Sequence, residues 1–91
     1  MDLALLIDAL APVEVVGRAS VDVTDLAYDA RDAGPGSLYF CIPGSRADGH
    51  DFAREAVANG AAALVVQRPL DLSVPQLVVG DAALVLEQTA A

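Results

Sequence analysis

Leu38-Tyr39-Phe40-Cys41-Ile42 is an unbroken apolar run, closed on one side by Ala33-Gly34-Pro35-Gly36 and on the other by Pro43-Gly44. Apolar residues without alternation, set between turn-forming glycines and prolines, predict a central strand buried on both faces. Such a strand belongs in an α/β arrangement with helices flanking its sheet. Both turns lie within a longer run, Tyr28 to Phe52, that also carries a few placed charges. The first turn must reverse the chain sharply. The second leaves Ser45, Arg46 and Ala47 on a loop just past the strand's carboxyl end, the region where open α/β sheets bind ligands.

The remaining elements follow from spacing. Leu3, Leu6, Ile7 and Leu10 predict a short amphipathic helix that ends before Pro12 and covers the sheet. Val13 to Val16, and the stretch containing Val21, Val23 and Leu26 to Tyr28, predict one or two edge strands. Asp48, with Asp51 three positions later, reads as an Asp variant of the capping box, starting a helix whose packing face is Phe52, Ala53, Ala56 and Val57. Asn59-Gly60 ends that helix in a left-handed cap. Ala62 to Val66 and Gln76 to Val79 read as further strands, separated by a break at Arg68-Pro69 and a loop containing Pro75. Strand, helix, strand in that order implies a parallel crossover, hence a small, largely parallel sheet, with a mixed edge allowed. Residues 81–91 have helical composition without a closing signal, as in a helix or linker cut short on the way to a further domain.

Ninety-one residues, 55% of them apolar, support one domain. Thirteen acidic residues against five basic ones, all arginines, give a formal charge of -8, which disfavours general nucleic-acid binding. An anionic ligand is compatible only where one or two arginines and free backbone N–H groups outweigh the negative field locally. The lone cysteine, Cys41, rules out an internal disulfide, and with a single histidine the chain cannot assemble an ordinary Cys/His zinc site. MDLALLIDAL lacks a basic leader and no apolar stretch approaches membrane-spanning length, so a soluble chain in a reducing cytoplasm, off the membrane, is expected.

Without lysine there is no phosphate-binding GxxxxGK[ST] loop, and Gly34 and Gly36 are not followed by the third glycine of a dinucleotide fingerprint. His50 has no evident nucleophile or orienting set and reads as structural in a helix's first turn. Cys41, inside the apolar strand, reads as a small hydrophobe. Arg46 is either a solvated loop arginine or a planar fork that stacks on a base or binds phosphate. Arg31, between Asp29 and Asp32, reads as a local ion-pair former, and Tyr28 either stacks on an aromatic ligand or ends its strand.

These residues resemble the N-terminal domain of the Mur ligases, the cytoplasmic enzymes that extend the peptide of peptidoglycan precursors. The likeness lies in Asp29-Ala30-Arg31, Pro35-Gly36, the strand, Gly44-Ser45-Arg46-Ala47-Asp48-Gly49-His50, Phe52 and Gly60-Ala61, and with Val74 to Val79 it spans about Val23 to Ala83. The resemblance implies that this domain holds the UDP moiety of UDP-MurNAc-L-Ala-D-Glu. Tyr28 and Ala30 would line the uridine pocket, Ser45, Arg46 and Ala47 would close over the nucleotide, and Arg31, Asp48 and His50 would support them. Ala30 stands where the family usually has serine; the lost hydroxyl contact costs about 0.5 to 1.5 kcal/mol. By the same resemblance, ATP and Mg2+ belong to a central domain absent from this chain, so the chain alone positions substrate and is not itself an enzyme. The nearest likeness is to ligases that add the third peptide residue, usually meso-diaminopimelate or lysine. The D-Ala-D-Ala-adding ligases, and a folding or interaction module with little ligand affinity, are the alternatives.

Overall fold

In the computed structural model, which describes residues 1–18 and 20–90, the apolar run becomes β3 (Ser37–Phe40), with all four residues buried. The other elements are α1 (Leu3–Leu10), β1 (Glu14–Val16), β2 (Asp25–Ala27), α2 (Ala53–Ala58), β4 (Ala63–Val66), β5 (Gln76–Val78) and α3 (Ala82–Ala90), with 3-10 turns at Ala30–Asp32 and Gly49–Phe52. The strands form one sheet in the order β1-β5-β4-β3-β2. β2, β3, β4 and β5 run parallel, and β1 pairs antiparallel with β5, so the sheet is mixed at one edge. In the register Leu38 faces Ala63 and Tyr39 faces Leu64.

Alternation along β3 feeds two cores. Leu38 and Phe40 pack with Leu3, Leu6, Val65, Leu77 and Val85, so α1 and α3 cover that face. Tyr39 and Cys41 point the other way, into a layer rich in alanine that includes Ala30, Ala53 and Ala56, where α2 and the Ala30–Asp32 turn lie. Asp2 caps α1 by accepting the Ala4 N–H at 3.1 Å, and the left-handed Ala11 closes it just before Pro12. Both predicted edge strands lie at sheet edges, but Val21 to Val23 stays outside the sheet, held by backbone bonds to Met1 and Leu3. Of the predicted segment 81–91, residue 91 lies outside the described residues; Ala82–Ala90 is α3, and Asp81 stands before it, its Oδ1 accepting the Leu84 N–H at 3.1 Å.

Two expectations fail around α2. Asp48 caps a 3-10 turn, not an α-helix: its side chain accepts the His50 N–H, its carbonyl accepts the Asp51 N–H, and the Gly49 N–H stays paired with Ile42 O. The α-helix begins only at Ala53, and no side chain caps it. Because the segment is wound as 3-10 through Phe52, that ring leaves the packing face and is 44% exposed, while Ala53 and Ala56 are fully buried.

The predicted left-handed cap is present as a Schellman motif, in which Gly60 donates to Val57 O and Ala61 to Ala56 O. Gly60 has φ +113, and a Cβ there would lie 2.8 Å from Pro35 Cα. Its carbonyl accepts the Gly36 N–H, so the first glycine turn is seated on the end of α2. Gly60→Ala combines strain with a backbone clash and should cost about 1 to 3 kcal/mol. Urea denaturation with an unchanged slope and a lower midpoint would show it; an unchanged midpoint would refute this account.

Candidate functional site

The chain leaving the carboxyl ends of β2 and β3 walls a cavity of about 460 Å3. Tyr28, Asp29, Ala30 and Arg31 form the side that follows β2. Tyr39, Ile42, Ala47 and Gly49 form the side that belongs to β3 and its loop, and Phe52 and Glu55 close the third. A second hollow, of about 500 Å3, opens beside Leu6, Val23, Thr24 and Asp25, at the amino end of β2. Parallel sheets seat ligands at the opposite end, so the first cavity is the candidate site.

Each wall is set by local bonds. Asp29 accepts the Arg31 N–H at 2.9 Å and grips the guanidinium through Nε at 3.1 Å and Nη2 at 2.7 Å. The Arg31 side chain and backbone hold the Asp29 carboxyl down to about 2, and Asp29, with lesser help from Asp32 and then Glu55, raises Arg31. Asn59 Nδ2 donates to Ala30 O at 2.9 Å, tying this wall to the end of α2. Across the cavity, the buried Tyr39 hydroxyl donates to Gly49 O at 3.0 Å, and burial pushes its pKa up to about 12, so it remains a donor at neutral pH.

The loop after β3 is pinched at its base by an isolated bridge between Pro43 and Asp48 and by Gly49 N–H to Ile42 O at 2.9 Å; above these, the Gly44 N–H reaches Ala47 O, also at 2.9 Å. A Cβ on Gly49 would stand 2.6 Å from Ile42 N, so the close approach needs glycine. His50 lies behind this base with its side chain fully buried. Its Nε2 accepts the Gln67 N–H at 2.9 Å; a backbone amide can only donate, so the proton sits on Nδ1, which donates to Asp48 Oδ1 at 2.6 Å. Arg68 Nη1 donates to Asp48 Oδ2 at 3.2 Å. The His50 backbone and ring, and then Arg68, hold the Asp48 carboxyl at about 2.

Of the residues singled out from sequence, Tyr28, Ala30, Arg31 and Ala47 line the cavity. Ser45 and Arg46 stand exposed at the loop tip beyond its wall, and Asp48 and His50 lie behind it. Arg31 makes the expected ion pair and His50 the expected structural contacts. Cys41 is buried, and burial pushes its thiol up to about 12, which leaves it a hydrophobe. Tyr39, Phe52 and Glu55 were not foreseen. Period-two alternation does set Tyr39 opposite Leu38 and Phe40, but Phe52 and Glu55 depended on where the 3-10 turn gives way to α2.

Fold and cavity together place the chain among α/β domains whose clefts lie at the carboxyl ends of parallel strands. Residues 22–89 match the Mur ligase family, catalytic domain, and the chain belongs to that family, as its N-terminal domain. It is 42% identical over 88 residues, 97% of its length, to a UDP-N-acetylmuramoyl-L-alanyl-D-glutamate--2,6-diaminopimelate ligase of Halalkalibacterium halodurans. It is 44% identical over 73 residues, 80% of its length, to a UDP-N-acetylmuramoyl-tripeptide--D-alanyl-D-alanine ligase of Escherichia coli, K12 strain. The chain spans only 18% and 16% of those two proteins. Among solved structures, MurF of Acinetobacter baumannii superposes with a TM-score of 0.81 at 30% identity, over 94% of this chain and 19% of that one. No helix among the described residues is long and apolar enough to cross a membrane.

The two depressed carboxyls give a pH signature. Each has a folded-state pKa near 2 against an ordinary 3.8, so the unfolded chain takes up protons first as pH falls. Their stabilisation is complete above about pH 4 and is lost as pH drops toward 2. Thermal denaturation across that window should show a falling Tm, and Asp48→Asn should flatten part of the fall. An identical pH profile in the variant would contradict the assignment.

Proposed function

We propose that this chain is the substrate-recognition domain of a peptidoglycan-precursor ligase and that its cavity takes the uridine end of UDP-MurNAc-L-Ala-D-Glu. The observation that carries the reading is a cavity of nucleoside size at the carboxyl ends of β2 and β3, in a chain of this family, with Tyr28 68% exposed at its edge and open to stack on a pyrimidine. Inside, the Asp29 and Glu55 carboxylates against the one Arg31 guanidinium leave one net negative charge, which suits a neutral base better than a diphosphate. The diphosphate then lies toward the loop tip, where Ser45 and Arg46 are exposed and Arg46 has no ion pair among the described residues. Ala30 contributes only its backbone.

ATP and Mg2+ do not fit the residues present: a chain without lysine lacks the P-loop cation, so those groups belong to sequence outside it. On this reading the parent protein is an ATP-dependent amino-acid ligase of the cytoplasm that adds the third peptide residue, a reading supported by the Halalkalibacterium halodurans relative, which is named as a 2,6-diaminopimelate ligase acting on UDP-N-acetylmuramoyl-L-alanyl-D-glutamate. The D-alanyl-D-alanine-adding alternative has its own support in the Escherichia coli relative and in the MurF structures. The incoming amino acid used by the full-length enzyme separates the two.

Saturating this chain with the UDP-MurNAc-dipeptide should shift the amide signals of Tyr28 and of Ser45 to Ala47. In the full-length enzyme, Tyr28→Ala and Arg46→Ala should each raise the KM for the UDP-substrate about three- to tenfold with kcat little changed, as for loss of uniform binding. Unmoved signals together with wild-type KM values would favour the purely structural module instead.

A further inference from the structure

We propose that His50 is a positioning residue for the nucleotide loop: through its Nδ1–H bond to Asp48 it fixes the base of the Pro43–Asp48 loop, and with it the Ala47 and Gly49 wall of the cavity. The inference rests on the nucleotide reading of that cavity and goes beyond it, since His50 and Asp48 themselves do not line it. His50 is held on both sides of its ring, by Asp48 Oδ1 at 2.6 Å and by the Gln67 N–H at 2.9 Å, with no exposed side-chain surface. Gln67 is in turn fixed at the end of β4 and sends its own Oε1 to the Ala82 N–H at 2.9 Å, at the start of α3. The ring is therefore referenced to the far side of the sheet, while Asp48 is the last residue of the loop and one side of its closing bridge. Without the Nδ1–H donor, Asp48 keeps the His50 N–H and the half-exposed Arg68, neither of which ties it to the buried interior. The loop base then keeps only the Gly49 N–H bond to Ile42 O and the Tyr39 hydroxyl bond to Gly49 O, and Asp48, with Ala47 beside it, shifts about those anchors.

Two substitutions separate the two ring contacts. In His50→Asn the amide nitrogen takes the place of Nδ1 and keeps the donor to Asp48; in His50→Gln the amide oxygen reaches toward the place of Nε2 and keeps the acceptor for Gln67. Imidazole and amide 15N spectra of this chain should show His50 in the neutral Nδ1–H form. His50→Gln should move or broaden the signals of residues 44–49 while β4 and α3 stay in place, and His50→Asn should restore the wild-type positions. An Nε2–H tautomer, or loop signals untouched by His50→Gln, would overturn the proposal. Titration with UDP-MurNAc-L-Ala-D-Glu should then give affinity about tenfold weaker for His50→Gln and within about threefold of wild type for His50→Asn. Wild-type affinity in His50→Gln defeats the positioning role. If the wild type binds no nucleotide while the spectra behave as expected, the nucleotide reading fails and the loop anchor stands.

Discussion

Burial of β3 on both faces is the constraint from which the rest of this domain follows. A strand with Leu38 and Phe40 in one core and Tyr39 and Cys41 in another needs covering layers on both sides, and α1 with α3 supplies one while α2 and the Ala30–Asp32 turn supply the other. Parallel neighbours on either side of β3 bring the carboxyl ends of β2, β3 and β4 to one end of the sheet. The three segments that leave there carry Tyr28 to Arg31, the Pro43–Asp48 loop, and Gln67 with Arg68. Their meeting is a result of strand direction, and the polar contacts among them only refine it.

Electrostatics narrows what such a site can hold. A chain with a formal charge of -8 repels anions over most of its surface. Two of its five arginines, Arg31 and Arg68, are engaged with Asp29 and Asp48, where they set loop geometry more than they attract ligand. In the proposed reading this leaves the anionic part of the substrate to Arg46 and to backbone amides, and the cavity, with its aromatic rings and net negative charge, to the base. Exposed pairs of this kind contribute little to stability, so their value lies in orientation.

Much of the architecture was legible because it is written locally. Apolar continuity marks β3 and β4, spacing at three and four residues marks α1, and Asn59-Gly60 marks the end of α2. What was hidden depends on contacts between residues far apart in the chain. The Gln67 N–H reaches His50 across 17 positions and Arg68 reaches Asp48 across 20, so Arg68 looked like nothing more than a break before Pro69. Phe52 was misplaced for a subtler reason. A 3-10 turn in place of an α turn rotates the side chains within it, Phe52 among them, relative to the helix that follows, and spacing alone does not distinguish the two windings. Tyr28, Ala30 and Ala47 reach the cavity through the family resemblance, with Arg31 as a support, whereas Tyr39, which points from within a strand, reads as core.

The alanine-rich layer behind the cavity acts as a spacer gauge. Ala30, Ala53 and Ala56 are buried with no side-chain atoms beyond Cβ, so the Ala30–Asp32 turn and α2 pack closely on one another in the layer that holds Tyr39 and Leu64. The width of the cleft is thereby tied to a dimension fixed on its hidden side. A single added methylene at Ala53 or Ala56 would act as a shim, tilting the wall that carries Tyr28 without altering any residue that faces the opening. Selection on cleft shape in this domain would then leave its marks among small buried residues that a search of the cleft surface passes over.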